Sequence, residues 1–109
     1  MSDTIQVIES EESFAAAVQS GVVLIDFFAT WCRPCRMQLP ILEEVAAEFA
    51  GRAKIIKVDT EKLQGLTVQH GVSSIPTLIV MKDGQKVTQF AGLQQASVLK
   101  NALEQAIAL

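Results

Sequence analysis

Hydrophobic residues recur with a period of two in some segments and near 3.6 in others, which separates predicted strands from predicted helices. The first segment, Thr4–Ile8, has the alternation of a short strand. A helix is predicted next, with Ser10 as its N-cap and Gly21 at its end. The inward face of this helix is expected to consist of Phe14, Ala17 and Val18.

The segment Val22–Ala29 is apolar on both of its alternating faces, except at Asp26. A strand without a polar face is covered on both sides, which is typical of the central strand of an α/β sheet. The period then becomes helical from Arg33 to Ala50, and Gly51 ends the predicted helix. The buried stripe of that helix is expected to be Gln38, Leu42, Val45, Ala46 and Phe49.

The second half of the chain contains three predicted strands and two predicted helices. Their ranges are a strand at Lys54–Asp59, a short helix at Thr60–His70, strands at Thr77–Met81 and Lys86–Phe90, and a helix at Gln95–Leu109. Asp83-Gly84 between the last two strands is a strong hairpin signal. The last helix is expected to turn inward Val98, Leu99, Ala102, Leu103, Ala106 and Ile107. The order βαβαβαββα predicts a mixed sheet with helices on both faces, but the strand order does not follow from the pattern.

Composition narrows the class of protein. The 109 residues, half of them hydrophobic, predict a single domain over residues 1–109 with a sizeable core. A net charge of −3 without a basic stripe argues against nucleic-acid binding. The longest apolar stretch, Val22–Ala29, is too short to span a bilayer. Because Met1–Glu12 also lacks a secretory signal pattern, we expect a cytoplasmic protein.

The two cysteines form a Cys-x-x-Cys motif, with Cys32 placed where the buried strand runs into the long helix. Unpaired N–H groups and the dipole at a helix start favour an anion, so the pKa of the Cys32 thiol should be lowered. Cys35 lies one turn deeper and should be less exposed. We therefore expect Cys32 to attack a substrate disulfide and Cys35 to resolve the mixed disulfide. Pro34 is tolerated because a first-turn residue has no helical donor to lose.

Three other interpretations of the cysteine pair remain open. The thiols could be inert and buried, or the motif could be idle in a subunit that only binds a partner. The pair could also supply half of a metal or iron–sulfur site between two subunits. No Gly-x-Gly-x-x-Gly loop or other cofactor motif is present, so the cysteines themselves are expected to carry the electrons.

Two further features support a redox site. A carboxylate at Asp26, inside an apolar strand, is costly unless paired, and burial should raise its pKa. It is then a plausible base for the Cys35 thiol, directly or through a water, although a structural aspartate bonded to backbone is the alternative. Pro76 in Ile75-Pro76-Thr77 belongs at a strand start, and the sequence alone does not determine whether its peptide bond is cis.

Over essentially its whole length, the chain resembles the thioredoxin family in the order and spacing of its motifs. The matching segments are Asp26–Cys35, Lys57–Asp59, Gly71-Val72, Ser74–Thr77, Asp83-Gly84 and Ala91-Gly92. The resemblance implies a thioredoxin fold, with a mixed five-stranded sheet of order 1-3-2-4-5 flanked by four helices. It further implies reduction of protein disulfides, regeneration by a separate reductase, no bound cofactor or metal, and a monomer.

The resemblance also implies roles for individual residues. Pro76 would be cis and face the sulfurs, while the backbone of Ile75 and the open surface at Gly92 would hold an extended substrate segment. Trp31 would pack beside the disulfide. Asp26 would match the family's buried carboxylate and Lys57 its neighbouring lysine, although Lys57 could equally be an ordinary solvated residue at a strand end. Pro40 would kink the long helix.

The sequence departs from the family pattern at Arg33, where thioredoxins usually carry glycine, and at Phe28, where many carry a second tryptophan. A guanidinium beside Cys32 favours the thiolate and should make the disulfide a slightly better oxidant. Arg33 could instead, or in addition, influence partner choice. His70, the only histidine, is expected to lie on the surface or cap a helix end, where a cation is favourable.

Overall fold

The computed structural model describes residues 5–109, and these form five strands and four helices. The strands are β1 Ile5–Val7, β2 Val22–Phe28, β3 Lys54–Asp59, β4 Thr77–Lys82 and β5 Gln85–Ala91. The helices are α1 Glu11–Val18, α2 Arg33–Glu48, α3 Gln64–Gln69 and α4 Ala96–Ile107. Thr4, the predicted start of the first strand, lies outside the described residues.

All five strands belong to one sheet of order β1-β3-β2-β4-β5, which confirms the order implied by the resemblance. The pairs β1–β3 and β3–β2 are parallel, and the pairs β2–β4 and β4–β5 are antiparallel. The central strand β2 is buried along nearly its whole length, as its two apolar faces predicted. The sheet is therefore mixed, with its centre at the strand that carries Asp26.

Alternate residues of β2 serve two separate cores. Leu24 joins the core beneath α2 and α4, together with Leu42, Phe49, Leu99 and Leu103. Ile25 and Phe27 join the opposite core, together with Phe14, Ile56 and Leu66. Because side chains alternate along a strand, Asp26 lies on the same face as Leu24, beneath α2. The buried carboxylate and the helix that begins at the cysteine pair thus share one side of the sheet.

Besides small differences at the ends of elements, one helix start and one side-chain orientation differ from the prediction. The segment predicted as a helix from Thr60 starts as a turn, because the Asp59 carboxylate accepts the N–H groups of Glu61 and Lys62 at 2.9 and 3.3 Å. The helix α3 begins only at Gln64. Val98 was expected to face inward on α4, but it is 38% exposed. The buried stripe of α4 is narrower than predicted, and it includes Leu99 but not Val98.

Salt bridges connect the C-terminal half of the long helix α2 to α4. Lys100 donates to Glu44 and also pairs with Glu48, at 2.7 and 2.9 Å. Pro40 lies inside α2, which continues through it to Glu48. Among residues 5–109, no helix has both the length and the apolar character needed to cross a membrane.

Candidate active site

The cysteine pair lies where β2 passes into α2. Cys32 is the N-cap of α2, with extended backbone angles, and its Sγ accepts the N–H of Cys35 at 3.2 Å. The carbonyl of Cys32 accepts the N–H of Arg36, which closes the first helical turn. Pro34 falls within this first turn, where no helical donor is lost. The two sulfurs are joined in a disulfide, with the Cα atoms 5.2 Å apart.

Both cysteines are almost completely buried in this disulfide form. Cys32 is 5% exposed and Cys35 is 3% exposed, so the expected difference in exposure is present in direction but very small. They form a small apolar cluster with Ala29, and Phe28 and Ile75 pack against it. The apolar surroundings restrict water around the sulfurs.

Asp26 is fully buried, and neither of its carboxylate oxygens has a hydrogen-bond partner within residues 5–109. The alternative of a structural aspartate bonded to backbone is therefore wrong. Burial raises the pKa of Asp26 from 3.8 to about 7, and the positive charge of Lys57 opposes the rise. An unpaired buried carboxyl with this pKa can exchange a proton near neutral pH.

Lys57 is the register neighbour of Asp26 across the β2–β3 pair. Its ammonium lies 4.2 Å from the centroid of the Phe28 ring, a cation–π contact. Among the described residues it forms no ion pair with Asp26. Lys57 also lines a cavity of about 320 Å³, together with Phe28, Ala29, Thr30, Cys35, Arg36 and Leu39. Lys57 is thus next to Asp26 in the sheet and lines the same cavity as Cys35.

A second wall of the site comes from the loop before β4 and the loop after β5. The Ile75–Pro76 peptide bond is cis, as the resemblance implied, and Ile75 packs on the cysteine cluster. The N–H of Gly92 donates to the carbonyl of Pro76 at 2.7 Å. Gly92 has a φ of +87°, and the space where a Cβ would project is open. The surface beside Gly92 is therefore open.

Trp31 is 65% exposed, more than packing beside the disulfide implies. Its Nε1 donates to the Glu61 carboxylate at 2.7 Å. The bond to Glu61 was not predicted, and nothing in the local pattern of the sequence indicates it. We name as the docking face the surface formed by Trp31, Cys32, Ile75, Pro76 and Gly92.

Arg33 and His70 differ in their exposure to solvent. Arg33 is exposed beside Cys32 and forms no ion pair within residues 5–109. His70 is the C-cap residue of α3, as expected, but its ring packs 5.2 and 6.0 Å from the ring centroids of Phe14 and Phe27. Burial, assisted by Lys86, lowers the pKa of His70. Burial at this helix end therefore favours the neutral imidazole over the cation.

Gln38 was predicted only as part of the buried stripe of α2. It is fully buried, and its side-chain amide pairs with the backbone of Gln94. A polar residue on an apolar stripe was the signal for such a role.

Within residues 5–109, no three His, Cys, Asp or Glu side chains lie close enough together to share a metal ion.

A mixed α/β sheet with a disulfide-forming Cys-x-x-Cys pair at a helix N-terminus defines the class of the protein, a thiol–disulfide oxidoreductase. The family model for thioredoxin matches residues 5–105. The chain belongs to the thioredoxin family.

Individual relatives agree with this assignment. A thioredoxin from Staphylococcus aureus is 45% identical over 95 residues, which cover 87% of this chain and 91% of the relative. The structure of a mutant thioredoxin from Halobacterium salinarum NRC-1 is similar with a TM-score of 0.91 and 32% identity, covering 98% of this chain and 94% of that one. The Malassezia sympodialis thioredoxin Mala s 13 gives a TM-score of 0.83 and 36% identity, covering 94% and 90%.

Proposed function

We propose that Cys32 is the attacking sulfur of this oxidoreductase and Cys35 the resolving sulfur. The Cys32 thiolate attacks one sulfur of a substrate disulfide, forms a mixed disulfide and expels the other substrate sulfur as a thiolate. Cys35, once deprotonated, attacks Cys32 and expels the second substrate sulfur. The substrate gains two electrons, and the enzyme disulfide forms. The position of Cys32 as N-cap, with its sulfur accepting the Cys35 N–H, is the observation that carries the assignment.

Asp26 is proposed as the base that takes the proton of Cys35 during resolution. Its carboxyl has no competing hydrogen bond within residues 5–109, and burial raises its pKa to about 7. Lys57 lines the same cavity as Cys35 and favours the ionised carboxylate of Asp26. A base with a pKa near the working pH can both accept and return a proton.

The docking face is proposed to hold an extended segment of the substrate across the sulfurs. Ile75 and Pro76 supply one side, and the open surface at Gly92 supplies the other. The exposed indole of Trp31 offers apolar contact area next to Cys32. Arg33 and Pro34 are proposed to tune the reduction potential, Arg33 through its charge and Pro34 by fixing the backbone of the first turn.

The wider setting is also proposed from the family. The substrates are protein disulfides, a separate reductase returns electrons to the cysteine pair, and no bound cofactor or metal is needed for the exchange. We place the protein in the cytoplasm as a monomer, with residues 1–109 forming one domain.

The decisive experiment is the reduction of insulin disulfides by dithiothreitol, with wild type compared with Cys32→Ser and Cys35→Ser. We expect Cys32→Ser to be inactive and Cys35→Ser to accumulate a mixed disulfide that mass spectrometry detects. Full activity in Cys35→Ser would overturn the assigned roles. If the protein still performs its function in the cell after both cysteines are replaced by serine, the interpretation as a subunit that only binds a partner would be favoured instead.

A further inference from the structure

Gln38 is completely buried, and both the nitrogen and the oxygen of its side-chain amide are hydrogen-bonded. Its side chain is 0% exposed in a helix stripe that is otherwise apolar. Its Nε2 donates to the carbonyl of Gln94 at 2.9 Å, and its Oε1 accepts the N–H of Gln94 at 2.8 Å. The side-chain amide thus exchanges two hydrogen bonds with the N–H and the carbonyl of one residue, as two paired residues of antiparallel strands do.

These two bonds connect the two halves of the active site. Gln38 lies one helical turn beyond Cys35, so it moves with the helix that carries the resolving sulfur. Gln94 lies two residues beyond Gly92, and its side chain donates to the carbonyls of Ala91 and Gly92 at 3.3 and 3.1 Å. Gly92 in turn donates to Pro76. A continuous set of hydrogen bonds therefore runs from α2 through Gln94 and Gly92 to Pro76.

We propose that Gln38 is a positioning residue that fixes the Gly92 side of the docking face relative to the cysteine pair. The proposal rests on the docking role of Gly92 argued above. Gln38 does not touch the substrate, because it is fully buried. It sets the distance between Gly92 and the sulfurs, so the surface that receives the substrate segment is already in place.

The chemistry of the exchange leaves Gln38 free for this role. Its amide has no titratable proton near neutral pH, and its donor and acceptor are both occupied by Gln94. Loss of the side-chain amide would leave a backbone N–H and a backbone carbonyl of the loop without their partner. The loop would then lose its fixed position, and the consequence should appear in substrate binding more than in the reaction of the sulfurs.

Gln38→Met tests the proposal, because methionine fills a similar unbranched volume without forming the two bonds. With insulin as substrate and dithiothreitol as reductant, we expect KM to rise about three- to tenfold while kcat changes less than about twofold. The second-order rate with the small disulfide 5,5′-dithiobis(2-nitrobenzoic acid) should stay within about twofold, because this probe needs no extended docking. Hydrogen exchange of the Gln94 amide should accelerate in parallel.

Gln105→Met is the matched control, since Gln105 is exposed near the far end of α4. Gln94→Ala is a second, milder variant that keeps the two backbone bonds to Gln38 and loses the side-chain bonds to Ala91 and Gly92. We expect its KM for insulin to rise about twofold. This variant tests the link from Gln94 to Gly92. If Gln38→Met does not fold, Gln38→Leu tests the bonds to Gln94 in its place, since leucine has a similar volume and also forms neither bond.

The outcomes separate the proposal from the function on which it rests. Inactive wild type would refute the proposed reduction of protein disulfides. Active wild type with unchanged KM in the folded variants would refute the positioning role alone. Faster exchange at Gln94 without a change in KM would likewise overturn it, because Gln38 would then only stabilise the loop. An equal loss of rate with both disulfides would place the defect at the sulfurs and also overturn it.

Discussion

Asp26 and Gln38 are two fully buried polar residues on the same side of the sheet, and their surroundings are opposite. Within residues 5–109, Asp26 has no hydrogen-bond partner for either oxygen, whereas Gln38 has both ends of its amide paired with Gln94. A buried group without partners is stabilised by taking up a proton, so its surroundings act on its pKa. A buried group with every partner in place holds two segments together. We therefore propose that the buried polar group serves proton transfer in one region and positioning in the other.

The largest effect that distinguishes the two regions is on stability. The folded pKa of Asp26, about 7, lies above its ordinary value of 3.8, so its contribution to stability is complete below pH 3.8 and is lost as the pH rises through 7. Asp26→Asn removes this loss because asparagine does not ionise. We expect the oxidised variant to gain roughly 4 kcal/mol over wild type at pH 8, and little at pH 3.5. Urea unfolding at the two pH values measures the difference.

The control for this experiment is Glu12→Gln, which neutralises an exposed carboxylate on α1. Its stability relative to wild type should vary little between the two pH values. A gain in Asp26→Asn that is the same at pH 3.5 and pH 8 would show that ionisation of Asp26 is not the cause. The contrast with Gln38 would then lose its physical basis.

The second effect is on the resolving step. In wild type, the rate at which Cys35 resolves a mixed disulfide should rise with pH through about 7, as Asp26 ionises. Asp26→Asn should be slower at pH 7 by roughly tenfold or more, at the low end of the usual range for a lost general base. Stopped-flow fluorescence of Trp31, the only tryptophan, follows the reaction. An unchanged rate would mean that Cys35 loses its proton by another route.

A smaller effect is expected at Lys57. Its positive charge lowers the pKa of Asp26, so Lys57→Met should raise that pKa further and move the loss of stability to higher pH. The cation–π contact with Phe28 is lost as well, which contributes about 0.5 to 1 kcal/mol at most positions of this kind. The pH profile of urea unfolding reports both. Lys62→Met is the matched control, since Lys62 is exposed on the turn after β3.

The smallest effect concerns Arg33, which lies beside the disulfide but outside both buried regions. An exposed charge next to Cys32 should shift the reduction potential by roughly 5 to 20 mV. Arg33→Gly should therefore lower the potential, and equilibration with glutathione measures it. Equal potentials in the two proteins would leave partner choice as the role of Arg33.

The local patterns of the sequence were sufficient for most elements of the fold. The two apolar faces of Val22–Ala29 predicted the central strand, and the Cys-x-x-Cys motif after it predicted a redox site at a helix start. These features depend on residues within one or two turns of each other, so periodicity and capping reveal them. The turn at Thr60 was missed because the Asp59 side chain competes with the helix for backbone donors.

Neighbouring residues were enough to establish where the sulfurs lie, which strand is buried and that a carboxylate is buried with it. Which polar groups meet depends instead on the way the chain packs in three dimensions. The bonds from Gly92 to Pro76, from Gln38 to Gln94 and from Trp31 to Glu61 join residues 16, 56 and 30 positions apart. Such contacts form only when the sheet and the helices pack together. The local periodicity of hydrophobic residues contains no information about that packing, because the partners are far apart in the sequence.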